Sequence, residues 1–350
     1  MSLTTVVIAP RERFSSIIPS LRSLYRTIAR GVPVIVVEGA SPAWVRLRLR
    51  AMRLLYGFEL ISLPQAVTPN EARNIGAARA KTPYIAFCDN DLEYQPDWLG
   101  AMERSAEEEG ADVVAPTIFI GPMPEPTIHH AGGYLYWCID EGETVLRERH
   151  RLMNVPASQV EDIDAAAPPE NEVCEFHCLL MRKAFLERMG GLDERLITRE
   201  QMDLALRARG LGAKVTYASG ARVTYMAREE FGYDDLRYHL FRWSDARAVQ
   251  SIEAFEESWG IKLDAVRIRE RWIAKHRARA IATLKYERLI ARIGKRRMKK
   301  YVIPHIERRV AALEEGRSDM APNVPDRVDA AAALASLPVE PSELPKAAAE

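Results

Sequence analysis

The sequence predicts a doubly wound α/β fold built on a mostly parallel sheet. Three observations carry this prediction. Short apolar, β-branched runs recur through the first half of the chain, and segments of helical period separate them. One run, Tyr84 to Cys88, ends abruptly in the acidic triplet Asp89-Asn90-Asp91. In an open sheet of this kind, ligands collect beyond the carboxyl ends of the strands. Two carboxylates so spaced can hold a hard divalent cation from one side while phosphate oxygens complete its shell. Asp and Asn also punctuate ordinary turns, so the triplet alone does not decide.

The elements follow in order. Thr4 to Ala9 reads as a strand ended by Pro10, and a helical pattern runs through Ile17, Leu21, Leu24 and Ile28 toward Gly31. Val34 to Val37 is a second strand with Glu38-Gly39-Ala40-Ser41 beyond it; a helix spans Pro42 to Tyr56, and Leu60 to Ser62 is a third strand. Asn70 is placed to cap the next helix. That helix carries Arg73 in its first turn, where a guanidinium can reach a phosphate or a base at the same edge. The helix dipole would otherwise disfavour a cation there. Beyond the triplet come a helix from near Pro96 to about Glu108 and a strand, Ala111 to Pro116.

The pattern then loosens. Gly121 to Pro126 is Pro-rich, His129-His130 introduce an aromatic strand through Tyr134, Tyr136 and Trp137, and Arg147 to Pro169 reads as polar loop. The histidine pair fits a core or turn better than a metal site. Cys174-Glu175-Phe176-His177-Cys178 lacks the second cluster that a structural zinc site needs. It fits a buried strand from Phe176 to Met181, with Glu175 and His177 on one face. A turn at Gly190 to Glu194, a helix from Glu200 to Arg209 and two short strands, Lys214 to Tyr217 and Arg222 to Tyr225, complete this part.

The 350 residues suffice for one large domain with appendages, and 49 Lys/Arg balance 49 Asp/Glu. The balance is uneven along the chain: Ile261 to Arg317 holds 18 Lys/Arg against 6 Asp/Glu, so a basic end sits on an acidic body. Four cysteines, no readable signal peptide and no run near the roughly 20 apolar residues of a membrane span lead us to expect a reducing, cytoplasmic setting.

Two blocks narrow the function. The first is Ala72-Arg73-Asn74-Ile75-Gly76, the apolar strand, Asp89-Asn90-Asp91 and then Pro96-Asp97-Trp98-Leu99. The second is Met181 to Phe185, Gly190 to Glu194, Glu200-Gln201-Met202-Asp203-Leu204 and Arg207. In this order they resemble the family 2 glycosyltransferases, enzymes of the GT-A fold that use nucleotide-sugar donors. The resemblance implies a catalytic domain over 1–260, ended near Phe255 to Gly260. It implies Mn2+ or Mg2+ held by Asp91, with Asp89 either sharing the metal or lying nearer the ribose, and a nucleoside-diphosphate sugar, UDP first among donors. Ala9, Pro10 and Glu38 would line the nucleotide, with Glu38 standing where the family usually has Asp; a solvated loop acid is the other reading.

The chain departs from the family pattern twice. The usual base position of an inverting transferase is Gln201, an amide that cannot take a proton, so Glu200 is the substitute and Asp203 the runner-up. A histidine that completes the metal shell in many relatives is replaced by Tyr225, with His239 the nearest later candidate. The acceptor class stays open among glycan, lipid-linked and protein hydroxyls.

The stretch 261–317 reads as a basic helical appendage, either packed on the core or another subunit or attracted to anionic lipid. Its aromatics are too sparse for nucleic acid. The Ala-, Pro- and acid-rich stretch 318–350 is expected to be a disordered tail. A catalytically silent nucleotide-sugar binder and a scaffold acting through the basic helices are the alternatives to an enzyme.

Overall fold

A computed structural model describes residues 2–121, 125–140, 142–163, 171–226, 231–282, 287–302, 304–306, 308–309 and 321–341. Its strands are β1 (Thr4–Ala9), β2 (Val34–Gly39), β3 (Glu59–Leu63), β4 (Tyr84–Asp89), β5 (Leu92–Tyr94), β6 (Val113–Ile120), β7 (Thr127–His130), β8 (Gly133–Asp140), β9 (Glu143–His150), β10 (Cys178–Arg182), β11 (Val215–Tyr225) and β12 (Val339–Pro341). The main sheet has the order β3-β2-β1-β4-β10-β6-β11-β5, with β7 paired to β6. Its first four strands are parallel, as the alternating pattern requires; β10 runs antiparallel between β4 and β6.

Helices cover both faces: α1 (Ile17–Thr27), α2 (Ala43–Tyr56), α3 (Pro69–Arg79), α4 (Trp98–Glu109), α5 (Lys183–Arg188), α6 (Glu200–Gly210), α7 (Tyr233–Arg242), α8 (Asp245–Trp259) and α9 (Ala274–Ala282). Because strand side chains alternate, Val6, Ile8, Ala86 and Cys88 enter one core while Val7, Ala9, Ile85 and Phe87 enter the other. On the second face α3 lies so close to β1 that a Cβ at Gly76 would meet Val7 Cγ1 at 2.3 Å. This contact explains the glycine of the Ala72-to-Gly76 block.

Several expected boundaries shift. Thr68, not Asn70, caps α3: its side chain accepts from the Glu71 N–H, Glu71 Oε2 accepts from the Thr68 N–H, and Pro69 opens the helix. Asn70 instead donates to the Asp193 carbonyl at 2.8 Å. The polar stretch expected to be loop after Arg147 begins inside β9, which pairs along its whole length with β8. One-sided burial left its polar face looking like loop. The two short strands at the end of the sheet are one, β11, bent by an irregularity between Ala218 and Arg222. Residues 164–170 of the expected loop lie outside the described residues.

At the C-terminus, 261–317 follows the alternative of packing on the core, and the tail departs from expectation. Within 261–317, several apolar residues of the described part turn inward: Ile268 and Ile273 are buried with α8, and Trp272 stacks edge-on against Trp243 of the α7–α8 junction at 5.3 Å, while Val266 and Tyr301 stay exposed. Arg277 donates to the carbonyls of Leu240 and Trp243.

The tail expected to be disordered is placed and bonded over 321–341; residues 318–320 and 342–350 lie outside the described residues. Asn323 donates to the carbonyls of Gly190 and Leu192, Arg207 to that of Asp326, and Arg209 to that of Ala333. Val339–Pro341 then adds a parallel strand to β8. Composition missed this because the bonds go to backbone groups and distant arginines, and the few apolar anchors, Val328, Ala333 and Leu337, are scattered among Ala, Pro and acidic residues.

A chain ending at residue 320 should therefore melt lower. Several net hydrogen bonds of about 1 kcal/mol each, at roughly 2–4 °C per kcal/mol for a domain approaching this size, suggest a drop of about 5 °C or more. An unchanged melting temperature would show that this strap contributes nothing.

Candidate active site

Three adjacent strands deliver the site to one edge of the sheet. Ala9 stands opposite Asp89 in the β1–β4 register, and the Asp89 N–H donates across to the His177 carbonyl at 2.9 Å. The loop after β1, the acidic triplet after β4 and the residue before β10 therefore converge. Asn90 staples the first loop: its Oδ1 accepts from the Arg11 N–H at 3.1 Å, and its Nδ2 donates to the Arg13 carbonyl at 2.8 Å.

Asp89 is surrounded by two guanidiniums and an imidazole. Arg73 Nη2 lies 3.0 Å from its Oδ1, while Arg11 Nη1 at 3.2 Å and His177 Nδ1 at 3.0 Å approach Oδ2. Burial pushes its pKa up, but Arg11, His177 and Arg73 together hold it below the ordinary carboxylate value. Asp91 is the opposite case. It is wholly buried, and neither carboxylate oxygen has a hydrogen-bond partner among the described residues. Burial first, then the charges of Asp89 and Glu12, push its pKa up to about 8. Buried polar atoms are nearly always paired, so these two oxygens are free to take a ligand.

A divalent cation fits. One ligand atom from each of Asp89, Asp91 and His177 lies within 4.8 Å of the others, and a mixed carboxylate–imidazole set suits a first-row divalent metal. The imidazole comes from the residue before β10, not from either expected place. Tyr225 donates its hydroxyl to Glu12 Oε2 at 3.1 Å, and its ring packs 4.4 Å from His177. His239 is packed between Phe231 and Trp243, where burial lowers its pKa to about 4. The expected core or turn histidines, His129 and His130, join His150 and His177 in one cluster with ring centroids 5.2–5.9 Å apart. His129, Glu175 and His177 also bring ligand atoms within 4.8 Å of one another.

Arg73 does not point outward at a donor phosphate. It is fully buried, bonded to Asn70 Oδ1 at 2.8 Å and to Asp89, with its guanidinium 4.4 Å from the Phe176 ring centroid. Its place in the structure is to fix Asp89. Ala9 is buried in β1, and Pro10 offers its carbonyl to the Tyr238 hydroxyl of α7 at 3.3 Å. Glu38 is no solvated loop acid: it is buried at the end of β2, Oε2 accepting from the Ser41 N–H at 3.2 Å and Oε1 without a partner among the described residues.

The three residues of α6 weighed for the base position, Glu200, Gln201 and Asp203, separate by role. Arg199, at φ +65°, breaks the chain just before the helix, and Glu200 enters the site buried, 3.5 Å from Arg242 Nη2. Its charge acts on both Arg11 and Arg73. Gln201 Nε2 donates to Glu148 Oε1 at 2.9 Å, which Arg199 also binds. Asp203 is turned toward α8 and the C-terminal strap: Arg207 Nε donates to one oxygen at 2.8 Å and Trp259 Nε1 to the other at 2.9 Å. Sequence reasoning missed the Arg11-Glu12-Arg13 run. Its signal was available, because charged residues directly after an edge-facing strand lie at the ligand edge.

Asp91 makes the metal-free fold sensitive to pH. Its folded pKa is raised, so the folded state holds a proton that the unfolded chain releases, and stability falls as pH rises from the ordinary carboxylate value toward about 8. Asp91→Asn should remove this loss and stabilise the metal-free protein near pH 8 by a few kcal/mol, at about 1.4 kcal/mol for each tenfold change in proton affinity. Melting curves recorded in chelator from about pH 5 to about pH 8 test it. A variant less stable than wild type throughout would contradict the reading of Asp91.

The comparisons with known proteins agree with this architecture. The chain is 28% identical over 227 residues to the pre-mycofactocin glycosyltransferase of Mycobacterium tuberculosis, a match covering 65% of this chain and 43% of that protein. It thus spans less than half the length of that relative. The crystal structure of GalNAc-T7 with UDP, GalNAc and Mn2+ superposes with a TM-score of 0.51 at 14% identity, covering 85% of this chain and 58% of the other. At that identity the likeness shows the GT-A fold alone. The model of glycosyl transferase family 2 matches residues 5–190, more than half of the sequence, and on that ground the chain belongs to glycosyl transferase family 2.

Proposed function

We propose that the protein transfers a sugar from a nucleoside-diphosphate donor to an acceptor hydroxyl, with inversion and with a divalent cation at Asp91. The observation that carries this reading is the wholly buried carboxylate of Asp91, unpartnered among the described residues, beside Asp89 and His177. The relative and the structure named above support this reading: one is a glycosyltransferase, and the other was solved with UDP and Mn2+.

Asp91, Asp89 and His177 would hold the metal, which supplies positive charge against the departing diphosphate. Because one of the three is an imidazole, Mn2+ suits the set better than Mg2+. Arg11 and Arg13, on the loop after β1, add cations at the same edge. Arg73 and Asn90 act on geometry, one fixing Asp89 and the other the loop. Ala9, Pro10 and the free oxygen of Glu38 stand at the ends of β1 and β2, where the nucleotide would lie.

The reaction needs a base. The acceptor oxygen bonds to the anomeric carbon as the bond from that carbon to the diphosphate oxygen breaks, and the hydroxyl proton passes to a carboxylate. Glu200 is our choice: it is buried in the site and held at 3.5 Å by Arg242, with no second partner locking it among the described residues. Both oxygens of Asp203 are already bonded by Arg207 and Trp259, which suits a structural role. Gln201 serves Glu148, so the amide at the usual base position has a structural use here.

Two outcomes test this. Excess chelator, and separately Asp91→Asn, should abolish transfer from a UDP-sugar while the protein stays folded; full turnover in chelator would exclude metal assistance. Glu200→Gln should lower turnover by about 10²-fold or more, the usual scale for general-base help, with donor affinity little changed. If Glu200→Gln is nearly silent, Glu200 is not the base.

A further inference from the structure

We propose that α2 is a docking face for an anionic membrane surface. The helix buries Val45, Leu49 and Met52 against the sheet side. On its other side Trp44, Leu47, Leu54 and Leu55 are exposed by 42%, 69%, 90% and 74%. They are four of the eleven large apolar side chains exposed among the described residues, and they share one helix of 14 residues. At about 100° per residue they fall within a single sector of roughly 100°, turned away from the buried one. No interior packing accounts for this second apolar stripe.

Arginines flank it. By the same helical geometry Arg46, Arg50 and Arg53 lie along one side of the stripe and Arg48 along the other, and α2 contains no Asp or Glu. None of the four forms an ion pair among the described residues; Arg46 donates to the Ser41 carbonyl at 2.6 Å, and Arg48 sits 5.9 Å from the Trp44 ring. Arg50 and Arg53 line one open depression with Leu54, Gly57, Phe58 and Glu59, a seat for a headgroup phosphate. Of the neighbouring acids, Glu59 pairs with Arg79, while Asp234 accepts from the Trp44 indole N–H at 3.0 Å and places its carboxylate at that end of the stripe.

An apolar stripe bordered by guanidiniums on a convex helix is complementary to acyl chains below anionic headgroups. The protein carries no net charge, so attraction has to come from a local patch of this kind. The Trp44 end of α2 touches α7, whose Tyr238 and Arg242 bond the carbonyls of Pro10 and Arg11. The Trp44 end of the docking face is thus joined through α7 to the loop after β1.

Co-sedimentation of the full chain with phosphatidylcholine vesicles, with and without phosphatidylglycerol, tests the proposal. Wild type should pellet with the anionic vesicles at low salt and less at physiological salt. The triple variant Arg48→Gln/Arg50→Gln/Arg53→Gln should bind about 10²-fold more weakly, from roughly fivefold per basic residue near the surface. Leu47→Ser/Leu54→Ser/Leu55→Ser should abolish binding, while Arg296→Gln/Arg297→Gln, exposed on the C-terminal basic segment, should leave it unchanged. Unaltered melting temperatures establish that the surface variants fold. Failure of wild type to bind anionic vesicles at low salt, or binding indifferent to both α2 variants, overturns the proposal. So does a wild-type dimer that Leu47→Glu converts to monomer, because the stripe would then be a subunit interface.

Discussion

Two carboxylates without solvent at the end of β4 set the terms for everything around them. An isolated buried carboxylate is too costly to stay ionised, and breaking a buried ion pair by removing one partner costs about 3–5 kcal/mol. Asp89 escapes that cost because Arg73, Arg11 and His177 converge on it from three different elements. Each must be brought there by the fold. The α3 capping box and the close approach of Gly76 to Val7 place Arg73; the Asn90 staple places Arg11; the antiparallel insertion of β10 beside β4 places His177.

Asp91 receives no such compensation among the described residues. A fold that satisfies one carboxylate with three cationic or imidazole partners, and gives its neighbour two residues away no direct one, separates two roles by environment alone. The first carboxylate is a fixed, ionised wall of the site; burial and the neighbouring acids hold the second toward its neutral form. Perturbed groups of this kind cluster at functional sites, and the instability they bring accompanies a shape made for a ligand. The same division recurs on α6, where Asp203 is locked by two donors and Glu200 is left with one weak contact.

The fold was legible where periodicity is local. The first four strands and their helices were readable because each is a β-branched run or an amphipathic segment with its own punctuation, and the acidic triplet was readable because it interrupts one of those runs. What composition could not convey was long-range pairing. His177 has no local mark of its partnership with Asp89; that arises only because β10 inserts antiparallel next to β4. Asn70 looked like a cap because the helix start was placed too late. Arg73 looked like a ligand because nothing local reveals that Asp89 stands 3.0 Å from it. The C-terminal strap misled for the same reason: its bonds are to carbonyls and arginines more than a hundred residues away.

The central claim is that Asp91 and His177 share a cation with the donor diphosphate. Anomalous diffraction at the manganese edge, from crystals grown with Mn2+ and UDP, tests it most directly. The account predicts one strong peak in contact with the Asp91 carboxylate and the His177 imidazole, with diphosphate oxygens on its open side, and loss of that peak in Asp91→Asn. UDP bound in the site with no manganese at Asp91, or manganese held at His239 instead, would contradict it.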